Sequence, residues 1–232
     1  SRGILKQKES WFIVIVQGDK FGIGECSLIK GLSPDPEESY EQTLKKVCEN
    51  ISDGYETLSL GLNYFPSILF GLETAFRSFE SFNPMILYPS SFTKNKDSIP
   101  INGLIWMGQK SFMISQVKEK INAGFDCIKI KIGSLDFTTE LELIKNIRKE
   151  YSSKDLEIRV DANCAFSFSK ALEKLKKLSD FSIHSIEQPI PTRQWEKMAF
   201  LCEKSPIAIA LDEELINTVE DEKEKMLKTI NP

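Results

Sequence analysis

The sequence predicts an α/β protein: a TIM-type (β/α) barrel, incomplete with about five βα units present, preceded by a smaller N-terminal α+β domain. Three observations carry that reading. From residue 99 onward, short apolar runs alternate with amphipathic stretches, the texture of strand followed by helix. Lys131, Asp161, Glu187 and Asp212 each close one of the apolar runs and are separated by 30, 26 and 25 positions, the period of a βα unit. The polar residues arrive at every strand end rather than at one reversal of strand order, which favours a barrel over an open doubly wound sheet.

The elements follow in order. Residues 11–17 and 21–25 are β-prone runs on either side of Gly18-Asp19 and read as an antiparallel hairpin. The chain starts at Ser1-Arg2-Gly3 without an initiator methionine, so an earlier strand is expected to precede it. Ser33-Pro34-Asp35-Pro36-Glu37-Glu38 places a capping residue, a first-turn proline and acidic groups at the start of a helix reaching to about residue 51. A second helix is predicted over 67–81, with Leu69, Leu72, Ala75, Phe76 and Phe79 at core spacing. Asn83-Pro84 and the polar stretch 90–98 mark a boundary, giving domains at 1–90 and 99–232. Strands are then expected at 99–106, 127–132, 157–161, 182–187 and 207–212. The matching helices are at 111–122, closed by Gly124, and at 138–151, 169–178, 195–204 and 219–229.

Composition narrows the function classes. A chain of 232 residues, 41% hydrophobic, can bury one substantial core with a smaller attached domain. Its net charge of −4 comes without a basic block or acidic tail, so neither nucleic acid nor a membrane surface is indicated as partner. Cysteines 26, 48, 127, 164 and 202 form no C-x-x-C pair, which argues against a disulfide framework or structural zinc and points to a reducing, cytoplasmic location. No apolar run has transmembrane length, and the N-terminus lacks a signal-peptide layout. His184 is the single histidine, which rules out multi-histidine metal sites; it reads as a structural residue at the start of a strand.

Strand parity assembles the candidate site. In Cys127-Ile128-Lys129-Ile130-Lys131-Ile132 the two lysines share one face and the isoleucines the other. The apolar face is expected under helices, so the lysines project into an enclosed space where their charge demands nearby anions. By the same parity Arg159, Asp161, Glu187 and Asp212 face that space, opposite Ile158, Val160, Ile186 and Leu211. Three carboxylates from adjacent strands suit Mg2+, with Mn2+ as alternative. Glu213 competes for the third position, but a strand regular to that point turns it away, so Asp212 is preferred. A bound cation and the Lys129 ammonium would both disfavour the charged form of Lys131 and make it a base for a proton α to a carboxylate. A K-x-K on its own is common on exposed strands; its joint occurrence with the strand-end carboxylates is what favours function. Gly22-Ile23-Gly24 lacks a third glycine and a following helix start, so it is not read as a dinucleotide loop.

Lys129-Ile130-Lys131, Arg159-Val160-Asp161-Ala162-Asn163, Ile186-Glu187-Gln188-Pro189 and Ala210-Leu211-Asp212-Glu213 together resemble the muconate-lactonizing subgroup of the enolase superfamily. Ile23-Gly24-Glu25 is similar to the hairpin of that family's N-terminal capping domain. Within the subgroup, Ser1-Arg2-Gly3, the segment from Gly24-Glu25-Cys26 to Gly31-Leu32-Ser33 and Asn102-Gly103-Leu104-Ile105-Trp106 are most similar to o-succinylbenzoate synthases of the menaquinone pathway. The resemblance implies that Asp161, Glu187 and Asp212 bind Mg2+, and that Lys131 removes the α proton of a small carboxylate substrate. Lys131 would then return it to the leaving hydroxyl in a syn dehydration of a succinyl-hydroxycyclohexadiene-carboxylate. Lys129 is implied to assist the carboxylate and depress the pKa of Lys131. Asn163 and Arg159 would be supporting residues, and Arg2 and Gly3 would help cover the site. Dipeptide epimerase or N-acylamino acid racemase activity on the same scaffold is the alternative, a non-catalytic barrel fragment a third, and homo-oligomerisation is left open. The family carries another lysine at the end of a sixth barrel strand. This sequence reaches Asn231-Pro232 where that strand would begin, so further βα units supplying it are expected.

Overall fold

The computed structural model describes residues 6–216, 218 and 220–232, at 220 and 221 for the backbone only. It divides into two compact units, one ending at Ile99 and one running from Pro100 to Pro232.

In the first unit, β1 (Ser10–Gln17) and β2 (Lys20–Ser27) form the expected antiparallel hairpin, closed by a tight turn with Gly18 at φ 59°. One face of the hairpin packs on α3 (Pro66–Glu80). The approach is close because glycines line it: a Cβ at Gly24 would overlap the Gly71 carbonyl, and one at Gly71 would overlap Cys26 Sγ. Gly24 therefore serves backbone packing rather than ligand binding. Between the hairpin and α3 lie α1 (Tyr40–Glu49) and α2 (Gly54–Ser59), the latter not predicted. Ile13, Cys26, Tyr40, Leu44, Ile68, Leu72 and Ala75 form the core of the unit.

The helix predicted from about residue 34 starts only at Tyr40, after a single 3-10 turn at Glu37–Ser39. Asp35 explains the difference. It does not cap its own helix; its buried Oδ1 accepts from Ser67 N (3.0 Å) and Ser67 Oγ (2.7 Å), capping the start of α3 across the chain. The carboxylate does stand at the positive end of a helix, but that helix is α3 and not the one that follows it in sequence.

The second unit holds one parallel sheet, β3 (Gly103–Ile105), β4 (Cys127–Lys131), β5 (Glu157–Asp161), β6 (Ser185–Glu187) and β7 (Ala208–Ala210), paired in sequence order. Helices α4 (Lys110–Asn122), α5 (Phe137–Glu150), α6 (Phe168–Ser179) and α7 (Trp195–Lys204) connect the strands. The short α8 (Glu213–Ile216) and α9 (Glu220–Ile230) follow β7. Parity places Ile128, Ile130, Ile158, Val160 and Ile186 on the helix-covered face, each essentially inaccessible to solvent and packed with Leu143, Ile144, Leu175 and Met198. Each such side chain contributes about 1.5–3 kcal/mol on burial. Five consecutive βα units with this strand order are the expected part of a (β/α) barrel. The strands predicted at 99–106, 182–187 and 207–212 are shorter than expected, and the early end of β7 matters for the site.

Candidate active site

Register brings the predicted residues to one level. Lys131, Asp161, Glu187 and Ala210 are direct partners along neighbouring strands, and Lys129, Arg159, Ser185 and Ala208 form the row two residues earlier on the same face. Lys131 Nζ donates to Asp161 Oδ2 at 2.5 Å and to Asn163 Oδ1 at 2.9 Å. Lys129 Nζ lies 2.5 Å from Glu187 Oε2 and 3.1 Å from the same Asp161 oxygen. The two ammonium groups, which would repel one another if left alone, thus share a carboxylate. Asp161 is fully buried, and Asn163 N donates to its Oδ1 at 3.0 Å.

The electrostatics follow from this packing. Burial alone would push the Asp161 carboxyl up, but hydrogen bonds from Lys131, Asn163 N–H and Lys129 outweigh it and hold the group below the usual carboxylate range. Glu187 goes the other way: burial and the neighbouring Asp161 charge raise it against the pull of Lys129. Lys129 is disfavoured as a cation by burial, yet Glu187 and Asp161 leave it above its ordinary value. Burial and the charges of Glu213 and Glu214 push the thiol of Cys164, next to this cluster in sequence, up to about 11, so it is held protonated near neutral pH.

Asp161 and Glu187 are hard oxygen donors in direct register, a donor type that suits Mg2+ chemically, and in this structure the Lys129 ammonium bonds both of them. Asp212 lies two residues beyond Ala210, the in-register partner of Glu187, and its N–H donates to Gln188 Oε1 at 3.2 Å. Among the described residues no three carboxylate, imidazole or thiol groups stand together in an arrangement that could hold a metal ion; the predicted set is brought together in two members, not three.

Other predicted residues are distributed differently. Asn163 joins the cluster directly. The Arg159 guanidinium, on the site's face but one row below Asp161, bonds Glu157 (2.7 Å). His184 stands just before β6, half exposed, with Nδ1 3.0 Å from Ser185 Oγ. Arg2 and Gly3 lie outside the described residues. Glu213 corrects the expectation that it turns away: β7 stops at Ala210, the chain enters α8, and Glu213 Oε1 accepts from Asn163 Nδ2 at 2.9 Å.

Three supporting residues had no role assigned from the sequence. Glu140 is buried and its Oε1 accepts from the N–H groups of Gly133, Ser134 and Leu135 (2.7, 3.1 and 3.1 Å), fixing the turn just past Lys131. Gly133 sits at φ 93° there, and that glycine was the available signal for a turn in need of an acceptor. Gln188, fully buried, accepts from Asp212 N and Glu214 N, while Glu214 accepts from Arg193 N and Trp195 Nε1, tying the segments after β6 and β7 together.

Residues 113–226 match the family model described as enolase C-terminal domain-like. The whole chain is 40% identical to an o-succinylbenzoate synthase of Desulfotalea psychrophila, of which it spans 72%. The chain belongs to the o-succinylbenzoate synthase family. Members of that family are lyases of the enolase superfamily, and the crystal structure of the Desulfotalea psychrophila MenC superposes over the full chain with a TM-score of 0.86 at 37% identity, spanning 73% of that structure. The o-succinylbenzoate synthase of Thermosynechococcus elongatus, solved with Mg in the active site, shares the fold at 19% identity, with a TM-score of 0.66 over 89% of this chain and 68% of that one. A hydrophobic dipeptide epimerase of Enterococcus faecalis is 30% identical, over only 45% of this chain and 29% of its own length. Among the described residues no helix is long and apolar enough to cross a membrane.

Proposed function

We propose that the chain catalyses the Mg2+-dependent syn dehydration of a succinyl-hydroxycyclohexadiene-carboxylate to o-succinylbenzoate, with Lys131 as base and acid, and that it does so in the cytoplasm. The observation that carries the reading is the in-register row of Lys131, Asp161 and Glu187 at the C-terminal ends of three adjacent strands. The choice of dehydration over epimerisation rests on similarity along the whole chain to an o-succinylbenzoate synthase, against partial matches to epimerases.

Asp161 and Glu187 would hold the cation, with Asp212 as the third ligand that the family resemblance implies. When bound, Mg2+ supplies positive charge to the substrate carboxylate as the α proton leaves. Lys131 Nζ takes that proton, and the contacts that await the resulting ammonium are already built: Asp161 Oδ2 and Asn163 Oδ1. Because the same nitrogen then delivers the proton to the departing hydroxyl, both events occur on one face of the ring, which makes the elimination syn. Lys129, held between Glu187 and Asp161, keeps the carboxylate row charged and in place beside the base.

Incubating the full chain with this substrate and Mg2+, and following the appearance of o-succinylbenzoate by absorbance and mass spectrometry, tests the proposal. Metal-dependent product supports it. Epimerisation of L,L-dipeptides without dehydration would replace it with the epimerase reading.

A further inference from the structure

Beyond Lys131 and its direct partners, we propose that Glu213 is a positioning residue that fixes the Asn163 amide so that its carbonyl oxygen, and not its nitrogen, faces Lys131. The inference rests on the proposed role of Lys131. It starts from a continuous bridge: Lys131 Nζ to Asn163 Oδ1 at 2.9 Å, and Asn163 Nδ2 to Glu213 Oε1 at 2.9 Å.

The chemistry of the two ends forces the orientation of the middle. An ammonium can only donate, so the atom of Asn163 facing Lys131 must be the oxygen; an ionised carboxylate can only accept, so the atom facing Glu213 must be the NH2. An amide is nearly symmetric in shape and can turn over, presenting a donor to Lys131. A donor there would oppose the ammonium and compete for the lone pair of the neutral amine. Glu213 penalises that flip, because it would set the amide oxygen against the carboxylate.

Backbone geometry supports a dedicated arrangement. Asn163 and Cys164 both lie at positive φ, 41° and 66°, a left-handed turn immediately after β5 of a kind that asparagine adopts more readily than most residues. Asn163 N is meanwhile tied to Asp161 Oδ1. The second Glu213 oxygen is buried, with no protein group hydrogen-bonded to it. A residue kept only for surface charge would not be held that way.

The test uses Glu213→Leu, which removes the acceptor, and Glu213→Gln, whose amide oxygen can still accept from Asn163. In a 15N-resolved NMR spectrum the Asn163 side-chain NH2, assigned by its disappearance in Asn163→Ser, should exchange slowly with solvent in the wild type. It should exchange at least about tenfold faster in Glu213→Leu and near the wild-type rate in Glu213→Gln. In the Mg2+-loaded enzyme, kcat should fall roughly ten- to a hundredfold in Glu213→Leu, with KM and calorimetric Mg2+ affinity within about threefold, and recover largely in Glu213→Gln. Should Glu213→Leu not fold by circular dichroism, Glu213→Met provides the same break with a more adaptable side chain. Unchanged Asn163 exchange in the folded Leu or Met variant overturns the inference. So does loss of Mg2+ affinity in both the apolar variant and Glu213→Gln, which would make Glu213 a ligand instead. A wild-type chain that leaves the succinyl-hydroxycyclohexadiene-carboxylate untouched would sink the substrate assignment alone, since the NMR comparison reads the bridge without turnover.

Discussion

A base that must later act as an acid needs partners for its charged form, and Lys131 has them in Asp161 and Asn163. The partners do not depend on Lys131 for their own positions: Asp161 is held by Asn163 N–H and shared with Lys129, and Asn163 is held by Glu213. Lys131→Ala should therefore lower kcat by at least about a thousandfold, within the range of general acid–base contributions, while fold and Mg2+ affinity survive. Steady-state kinetics with calorimetry check this, and retention of wild-type turnover would exclude Lys131 as the base. These residues were legible because parity is a backbone property that tertiary contacts seldom override inside a strand. Lys129, Lys131, Asp161 and Glu187 all fall on the predicted face. Glu213 was misread at the one place where parity stopped applying, three residues past the end of β7.

At the scale of elements, the joins between strands and helices hold the site, and they are built by buried carboxylates acting on backbone. Glu140 reaches from the first turn of α5 to three N–H groups of the loop after β4. Glu140→Ala would strand those donors, and we expect a loss of about 2–3 kcal/mol in urea unfolding together with reduced kcat, as the end of β4 carrying Lys131 loosens. A variant with unchanged stability would show that water replaces the carboxylate at no cost. Such long-range caps were not legible: Glu140 and Asp35 look like ordinary helix-start acids until the fold shows which N–H groups they reach. The first unit offers a pH test. Burial pushes the Tyr40 hydroxyl up to about 12 despite its bond to Ser67 Oγ (2.6 Å), and likewise the Cys26 thiol. A group whose folded pKa is raised contributes stability that is complete below its unfolded pKa and is lost as pH climbs through the folded one. For Tyr40 that window runs from about 10 to about 12. Tyr40→Phe should therefore flatten the fall in stability across this window, measured by denaturant unfolding at stepped pH; equal slopes would mean that the phenol titrates alike in both states.

At the scale of the whole molecule, two units with separate cores divide the work, and every proposed metal ligand belongs to the second. Asp161 and Glu187 sit on adjacent strands, and burial together with the Asp161 charge raises Glu187, so an added positive charge would favour the pair. A cation that binds this pair in the folded state and not in the unfolded one stabilises the unit by mass action, about 2.7 kcal/mol at a free concentration a hundredfold above Kd. For amides that exchange only when the unit opens, the same factor appears as roughly hundredfold slower hydrogen exchange. Mass-spectrometric exchange with and without Mg2+ should accordingly show slowing concentrated in β4 to β7 and the helices packed on them, through Ile130, Val160 and Ile186 into Leu143 and Leu175. The hairpin and α3, which carry none of the proposed ligands, should gain least. Glu187→Gln removes one anion from the pair, so its Mg2+-dependent slowing should shrink at every magnesium concentration short of saturation. Slowing that survives intact in Glu187→Gln, or that is centred on the first unit, would place the cation somewhere other than the strand ends.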